Sequence, residues 1–466
     1  MSDIITALKD ILDSGGVLTG VDVTSRVAGW AEGACEALAV VRPRNTSEVS
    51  EVMKLCNQYN QSVVTEGGKT GMVRGCIASP GDIALSLERM NTIEELDTAN
   101  GTATVQAGVP LQLVQEAAEA ARFCYPMDLG ARGSATIGGT ISTNAGGNRV
   151  IRYGMTRGLV LGLEVVMADG TIVSSMNKMI KNNAGYDLKQ LFIGSEGTLG
   201  IVTRAVLKLS PALNSQQTAL VALERFEQVI SLLQHCQREL GGQLCAFEVM
   251  WNSYFQLVTG DEAHQKKAPM DRNYPFYVLI ESAGADQDKD TEAFEYALNG
   301  ALEEGLICDA VLSKSHAERN ALWEIRDNIE ALFTLYPFYG FDISLPLDRM
   351  AQYLADIEQT LSATWPTQRH VVFGHLGDGN LHIVVTTGSE HVAEKHRVED
   401  VVYSALETYG GSISAEHGIG LEKKNYLHHS RSTEELALMR LLKTTLDPKN
   451  LLNPGKLLDI TVPNGQ

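Results

Sequence analysis

Residues 135–154 read ATIGGTISTNAGGNRVIRYG, and two further glycine-rich stretches accompany them, GGKTGMVRG at 67–75 and GSEGTLG at 194–200. Of the 43 glycines in the chain, 14 fall between Gly130 and Gly200. Such clusters mark backbone that takes positive φ or that a ligand approaches closely. Tight turns explain single glycines, but three such stretches in succession favour a binding site.

Two familiar phosphate motifs fail on spacing. The string GKT at residues 68–70 ends like a P-loop, but Val63 stands where that loop needs a glycine. The GxG pairs at 377–379 and 418–420 lack the third glycine of the dinucleotide fingerprint. A nicotinamide Rossmann domain is therefore disfavoured. The turn at 67–75 is predicted to be a nest of N–H groups for an anion such as pyrophosphate, and Gly71 is predicted to need positive φ or close phosphate approach.

The flanking sequence predicts alternating strands and helices. Residues 38–64 read as a strand, a helix with N-caps at Asn45, Thr46 or Ser47, and a second strand. Further strands are predicted at 102–108, 159–168 and 201–209, and a helix at 110–122. Together these elements predict an α+β nucleotide-binding unit over residues 36–211.

Composition narrows the function class. A chain of 466 residues with 44% hydrophobic and 20% charged residues is an ordinary globular protein of two or three domains. A net charge of −19 disfavours nucleic acid and anionic membrane surfaces as partners. Seven scattered cysteines without a CxxC pair indicate a reducing compartment. No signal peptide or transmembrane segment is evident, so we expect a soluble, cytoplasmic protein.

Several motifs in order resemble a known superfamily. PRNTSEV, EGGKTGMVRG, ATIGGTISTNAGG, RYGMTRG and GYDLKQLFIGSEGTLGIVT resemble the FAD domain of the vanillyl-alcohol-oxidase-like flavoproteins. GHLGDGNLH, SAEHGIG and LDPKNLLNPGKLL resemble the branch of FAD-dependent D-2-hydroxyacid dehydrogenases that includes D-lactate and D-2-hydroxyglutarate dehydrogenases and the glycolate oxidase flavin subunit. The match runs from Val41 to Leu458.

The resemblance implies an α+β fold with a two-part FAD-binding domain. A cap domain with an antiparallel sheet binds the substrate, and a C-terminal segment returns to the flavin. The predicted division is an N-terminal helical segment at 1–35, the FAD domain at 36–211, the cap at 212–420 and the returning segment at 421–466.

The resemblance also implies a set of FAD-binding residues around the glycine-rich stretches. No histidine occurs before His235, so the FAD is expected to be bound without a covalent link. The implied cofactor-binding residues are Glu66, Gly67, Gly68, Lys69, Thr70, Gly71, Met72, Pro126, Gly130, Ser134, Ile137, Gly138, Gly139, Ser142, Asn144, Gly147, Glu196, Gly200, Ile201, Val202 and Asn453.

Histidines concentrate in two of the C-terminal motifs. His375 and His382 lie in GHLGDGNLH, and Glu416 and His417 are adjacent in SAEHGIG. Imidazoles and a carboxylate suit a divalent metal such as zinc, with manganese as an alternative. By resemblance, His375, His382 and Glu416 are metal ligands, and His417 is the general base that takes the substrate's hydroxyl proton. A metal-dependent hydrolase using the same residues is the competing interpretation.

Four residues bear on the choice of substrate. Arg326 matches a family arginine that binds the substrate carboxylate, a task that suits its planar fork of donors. Where relatives dedicated to 2-hydroxyglutarate carry a lysine, a small hydroxyl residue and a polar amide, this chain has Gly340, Glu330 and Val384. The absence of the lysine, the hydroxyl and the amide from these positions favours a substrate with a single carboxylate.

The sequence therefore predicts metal-dependent oxidation of a D-lactate-like acid by hydride transfer to FAD. D-2-hydroxyglutarate or D-malate is the alternative substrate, and a flavin subunit of a glycolate-oxidising or electron-transfer complex is the alternative role. Quinone, cytochrome, electron-transfer flavoprotein and oxygen all stay open as the electron acceptor. A homodimer is compatible with the sequence.

Overall fold

The computed structural model describes residues 2–30 and 32–460 and divides into two compact units. The first unit contains the chain up to Gly147, Tyr153–Ala212 and the chain from Glu416 onward, and the second contains Asn148–Arg152 and Leu213–Ala415. The predicted boundary after residue 211 lies beside the observed one. The predicted segment 1–35 belongs to the first unit, and the chain returns to that unit before the predicted residue 421.

A four-stranded sheet leads to the glycine-rich turn of the first unit. Its strands, in spatial order, are Val17–Leu18, Ala39–Val41, Ile83–Ser86 and Val63–Glu66, and the last three run parallel. The helix Thr46–Tyr59 connects two of these strands. Asn45 caps it, because the Asn45 side chain accepts a hydrogen bond from the Glu48 N–H.

A five-stranded antiparallel sheet forms the other part of the first unit. Its order is Ile93–Asp97, Thr102–Gln106, Ile201–Lys208, Val160–Val166 and Ile172–Ser175. The predicted strands in this region are thus confirmed. The strands Phe123–Cys124 and Ser210–Pro211 form a separate pair. The helices assigned in this unit are Ser2–Ile11, Val21–Thr24, Thr46–Tyr59, Leu111–Ala120, Ile137–Ser142, Thr156–Leu159, Lys189–Phe192 and Thr433–Leu446, with a 3-10 helix at Lys424–His429.

The C-terminal segment closes an edge of the four-stranded sheet. Val63 donates its N–H to the Leu451 carbonyl at 2.7 Å, and Asn453 donates its N–H to the Val63 carbonyl at 2.8 Å. Val63–Glu66 is an edge strand, so these bonds satisfy backbone groups that the sheet leaves open. The predicted return of this segment to the nucleotide-binding part of the chain is confirmed.

The second unit contains a seven-stranded sheet whose neighbours are all antiparallel. Its order is Asp309–Leu312, Ser215–Leu223, Phe276–Gly284, Leu244–Trp251, Arg369–His375, Asn380–Thr386 and Tyr339–Ser344. An antiparallel sheet in this part of the chain was predicted. The helices are Phe226–Leu240, Asn252–Val258, Gln287–Glu303, His316–Arg326, Met350–Thr364 and Val392–Tyr409, with 3-10 helices at Gly241–Gln243, Ile329–Leu335, Leu347–Arg349 and Leu376–Asp378; a short helix spans Val150–Tyr153.

Aromatic packing holds part of this sheet against a helix. The rings of Phe255 and Tyr277 stack with centroids 3.6 Å apart, and those of Tyr254 and Phe373 stack at 4.1 Å. All four side chains are buried in an apolar cluster, and this contact area fixes the helix Asn252–Val258 on the sheet. Among the described residues, no helix combines the length and apolarity needed to cross a membrane.

Candidate active site

A cavity of about 360 Å³ opens in the first unit, and the glycine-rich stretches form much of its wall. Its lining comes from six separated parts of the chain, all within that unit. The predicted residues on the wall are Gly67, Gly68, Lys69, Thr70, Gly71, Met72, Gly130, Gly138, Gly139, Ser142, Glu196, Gly200, Ile201, Val202 and Asn453, together with Glu416 and His417.

The other predicted cofactor residues are not part of this wall. Ile137 and Pro126 are buried, and the Asn144 side chain accepts a hydrogen bond from the Arg157 N–H. Ser134 and Gly147 contribute backbone packing, and Glu66 is buried. Direct contact between these predicted residues and FAD stays a prediction. In full, the six predicted residues that do not line the cavity are Glu66, Pro126, Ser134, Ile137, Asn144 and Gly147.

The turn after the strand Val63–Glu66 depends on glycine at two positions. A Cβ on Gly68 would lie 1.9 Å from the Ser134 carbonyl oxygen, and one on Gly67 would lie 2.6 Å from Thr136 Oγ1. These distances leave no room for any side chain. The turn is therefore pressed against residues 134–136, which fixes the position of its backbone in the cavity wall.

The expectation that Gly71 needs positive φ is wrong. Positive φ in this turn falls on Lys69 (57°) and Arg74 (61°), and the space around a Cβ at Gly71 is open. Only close approach of a ligand remains as a reason for glycine at that position. The physical cause of the error is that the packing constraint lies at Gly68, where backbone meets backbone.

Glu66 and Lys69 form an ion pair at the base of the turn. Lys69 Nζ lies 2.9 Å from Glu66 Oε2, and Glu66 is only 1% exposed. Burial raises the pKa of Glu66, and the Lys69 ammonium partly opposes that rise. Lys69 Nζ also donates to the Val27 carbonyl at 2.8 Å. A lysine held in this way neutralises a carboxylate that would otherwise repel a phosphate.

Two buried side chains join the parts of the cavity wall. Asn453 donates from Nδ2 to the Glu196 carbonyl at 2.6 Å and accepts from the Thr65 N–H at 2.9 Å. The Glu196 carboxylate accepts from the N–H groups of Ile419 and Gly420 at 2.7 and 2.8 Å. Burial raises the pKa of Glu196, while these two hydrogen bonds favour its charged form. The turn that follows His417 is thereby fixed to the FAD-motif segment.

The predicted metal ligands are divided between the units. Glu416 and His417 line the cavity of the first unit, whereas His375 and His382 belong to the second. His375 ends the strand Arg369–His375, and His382 lies on the neighbouring strand Asn380–Thr386. Their ring centroids are 5.4 Å apart and the rings are nearly perpendicular. The sheet thus brings together the two imidazoles expected to bind a metal.

A buried carboxylate that sequence reasoning missed lies beside His375. Glu248 Oε1 lies 2.9 Å from His375 Nδ1, and Glu248 Oε2 accepts from Arg326 Nε at 2.9 Å. Burial by itself would raise the pKa of Glu248, but His375 and Arg326 outweigh it and the pKa is lowered. A single charged residue inside the apolar strand LCAFEVMW was the sequence signal that could have found it.

Arg326, the predicted partner of the substrate carboxylate, is 3% exposed and bound to Glu248. Gly340 and Val384 are cross-strand neighbours, but the Val384 side chain is buried in the apolar cluster, and Gly340 and Glu330 are exposed. The structure therefore pairs Gly340 with Val384 and leaves Glu330 on the separate 3-10 helix Ile329–Leu335. The substrate roles of these four residues stay predictions.

The cavity wall contains further residues beyond the individual cofactor-binding residues given above, and many of them lie inside the same motifs. Polar members such as Thr136, Thr140 and Thr143 lie on or beside the short helix Ile137–Ser142, with spacings that place them on one side of it. Their alternation with the glycines of TIGGTIST was a usable signal. The other wall residues beyond that set are Thr65, Val73, Gly75, Cys76, Leu87, Leu129, Ala131, Ala135, Ala145, Gly146 and Gly197.

Comparison with family models gives two matches that together span most of the chain. Residues 213–457 match the C-terminal domain of FAD-linked oxidases, and residues 37–175 match an FAD-binding domain. The chain belongs to the FAD-linked oxidase family. This confirms the predicted FAD-binding domain and favours FAD chemistry over the hydrolase interpretation.

Named relatives lie in the predicted branch. D-2-hydroxyglutarate dehydrogenase of Xanthomonas citri pv. viticola is 42% identical over 427 residues, covering 91% of this chain and 89% of the relative. The mitochondrial D-2-hydroxyglutarate dehydrogenase of Bos taurus is also 42% identical, covering 90% of this chain and 76% of the relative.

Solved structures confirm the predicted fold. p-Cresol methylhydroxylase with substrate bound superposes with a TM-score of 0.75 at 14% identity, covering 98% of this chain and 97% of that one. An alkyldihydroxyacetonephosphate synthase reaches 0.75 at 16% identity, covering 97% and 84%. At these identities the likeness concerns the fold alone, which is the vanillyl-alcohol-oxidase type of FAD-binding protein.

The packing of the turn predicts that Gly68→Ala lowers FAD affinity by ~10-fold to 100-fold, because the turn must shift away from the Ser134 carbonyl. Titration of the apoprotein with FAD, followed by flavin fluorescence, measures the effect. Gly81→Ala is the matched control, since nothing lies within 4 Å of its Cβ position. Equal affinities for the two variants would contradict the role assigned to Gly68.

Proposed function

We propose that this protein oxidises D-2-hydroxyglutarate to the 2-oxoacid with FAD as the hydride acceptor. The observation that carries the proposal is that the glycine-lined cavity of the FAD-binding motifs also has His417 and Glu416 on its wall. A base beside the cofactor cavity is what oxidation of an alcohol requires. The names of the relatives support the substrate.

The cavity suits FAD in the character of its wall. Gly67 and Gly68 meet backbone and a hydroxyl so closely that only glycine fits, and Lys69 neutralises the buried Glu66 carboxylate at the base of the same turn. When bound, FAD supplies the acceptor for a hydride at flavin N5. No histidine lies in the turn or anywhere before His235, which supports noncovalent binding. Acid precipitation is expected to release the flavin into the supernatant.

His417 is proposed to take the proton of the substrate hydroxyl. Its place on the cavity wall follows from the turn at residues 418–420, which the Glu196 carboxylate holds through two backbone N–H groups. A general base must keep a fixed position relative to the proton it removes. The buried Glu196 side chain provides such a restraint from within the same unit.

A divalent metal is the second proposed cofactor. His375 and His382 offer neighbouring imidazoles on adjacent strands, and the Glu248 carboxylate at His375 Nδ1 is the kind of partner that metal-binding histidines have. These residues suit zinc or manganese. When bound, such a metal lowers the pKa of the hydroxyl that it contacts. Glu416 as the third ligand rests on the family resemblance.

D-2-hydroxyglutarate is proposed over D-lactate because the named relatives support it. The sequence argument for a monocarboxylate rests on only three positions. Of these, Val384 packs in the apolar cluster of the second unit, so its side chain has little weight as a substrate contact. A D-lactate-like acid stays the second candidate. The exposed charge of Glu330 and the missing cation at Gly340 favour it, since an unpaired carboxylate is costly to bury.

Competition between substrates tests the proposed function. We expect kcat/KM for D-2-hydroxyglutarate to exceed that for D-lactate by ~10²-fold or more, because a site that pairs a second carboxylate loses that pairing with a monoacid. Anaerobic flavin bleaching by D-2-hydroxyglutarate, D-malate, D-2-hydroxybutyrate and D-lactate measures it. If D-lactate has the highest kcat/KM, the prediction of a monocarboxylate substrate is supported instead. If none of the four acids bleaches the flavin, the protein would be a flavin subunit that needs its complex for activity.

Substitution of the proposed base gives a second prediction. His417→Ala is expected to slow flavin reduction by ~10²-fold to 10⁴-fold, the usual worth of a positioned base, while FAD content stays the same. His428→Ala, an exposed histidine of the same unit, is the matched control. An unchanged rate in His417→Ala would remove this residue from the chemistry.

Removal of the metal gives a third prediction. Chelation is expected to abolish flavin reduction by the hydroxyacid and to leave the visible FAD spectrum intact, since the two cofactors are proposed to have separate ligands. Added Zn²⁺ or Mn²⁺ should restore the rate. Full activity in protein that elemental analysis finds free of metal would show that the reaction proceeds without one.

A further inference from the structure

Glu248 is a carboxylate in the interior of the second unit. It lies in the middle of the strand Leu244–Trp251, flanked by apolar residues, and is 1% exposed. An ionised carboxylate is placed in such surroundings only at a large cost in hydration, unless cations and hydrogen bonds surround it. The partners of Glu248 therefore indicate what the residue does.

Each oxygen of this carboxylate has a different partner. Oε2 accepts a hydrogen bond from Arg326 Nε at 2.9 Å and forms an ion pair with a terminal nitrogen of the same guanidinium at 2.8 Å. Oε1 lies 2.9 Å from His375 Nδ1. One side chain thus holds both a guanidinium and an imidazole, and these belong to two elements that are far apart in the chain.

These contacts fix how each partner is presented. A carboxylate at Nδ1 accepts a hydrogen bond, so Nδ1 carries the proton and Nε2 is the nitrogen that His375 would direct to a metal. The guanidinium of Arg326 is bound along one edge by Glu248, and its carbon lies 5.1 Å from the centre of the Phe373 ring. Both groups are therefore confined to one orientation.

We propose that Glu248 is a positioning residue that orients His375 toward a divalent metal and Arg326 toward the carboxylate of the substrate. The proposal rests on the proposed function, because both targets come from it. It adds a link between metal binding and substrate binding: one carboxylate serves both, so a change at Glu248 alters both affinities together.

A purely structural role is the competing explanation, and a second buried glutamate provides the comparison. Glu281 lies on the neighbouring strand Phe276–Gly284 and is 3% exposed. It bonds to Trp323 Nε1 at 2.8 Å and Thr218 Oγ1 at 3.2 Å. Glu281→Gln therefore replaces another buried carboxylate of the same sheet, one whose bonds are to Thr218 and Trp323 and not to Arg326 or His375.

The test uses Glu248→Gln in the FAD-loaded protein. An amide keeps the shape but exchanges one acceptor for a donor, so it cannot accept from both Arg326 and His375. We expect the Kd for Zn²⁺, measured by calorimetric titration of the metal-free protein, to rise by ~10-fold to 100-fold. With saturating metal, KM for D-2-hydroxyglutarate should rise by ~10-fold or more, because the Arg326 fork is no longer fixed. Glu281→Gln should change both values less than ~3-fold even if both variants lose thermal stability.

Ring-nitrogen NMR of ¹⁵N-histidine-labelled, metal-free protein reads the orientation directly. His375, assigned by its loss in His375→Asn, should carry its proton on Nδ1 in the wild type and move it to Nε2 in Glu248→Gln. Wild-type Zn²⁺ affinity and an unchanged tautomer in Glu248→Gln would overturn the inference, as would equal effects of the two glutamate variants. Failure of the wild type to reduce its flavin with any D-2-hydroxyacid would instead count against the proposed function, because the tautomer measurement needs neither substrate nor metal.

Discussion

The first unit depends on the side chain of Asn453. This amide accepts from the Thr65 N–H and donates to the Glu196 carbonyl, and it is 3% exposed. Without it, a backbone donor and a backbone acceptor would be buried without partners, at a cost of about 1–3 kcal/mol each. Asparagine also tolerates the left-handed conformation that this position takes, with φ of 43°. One residue near the C-terminus thus fixes the strand that leads into the glycine-rich turn.

The same restraint extends to His417 through Glu196. Its carbonyl is held by Asn453, and its carboxylate holds the N–H groups of Ile419 and Gly420. Gly420 has φ of 50°, and a Cβ there would lie 2.0 Å from the Val73 carbonyl. The segment after His417 therefore lies against the glycine-rich turn, and distortion of either one displaces the other. This coupling holds together a cavity wall whose parts are distant in sequence.

Local patterns predicted much of the fold. The helix Thr46–Tyr59 followed from the candidate caps Asn45, Thr46 and Ser47, of which Asn45 is the cap, and the glycine clusters indicated the cavity. The sequence did not indicate which glycine is pressed against backbone, because Gly68 meets Ser134, a residue far along the chain. Glu248 was missed for a related reason. Its partners Arg326 and His375 come from other elements, and only the sheet pairing brings them together.

The two units differ in the groups that form their candidate sites, which are mainly backbone in the first unit and side chains in the second. In the first, glycines line the cavity of the FAD-binding motifs, and backbone N–H groups would suit a large anionic cofactor because phosphate binding tolerates many donors. In the second, the predicted groups Arg326 and His375 lie at the end of a helix and at the end of a strand, and one buried carboxylate contacts both of them. Apolar residues could fill those positions with equal or greater stability, so stability alone does not account for the network. Its effect is to confine the Arg326 guanidinium and the His375 imidazole to one orientation each. The proposed hydroxyacid substrate has few atoms to recognise, so its binding would need that precision more than the binding of FAD would.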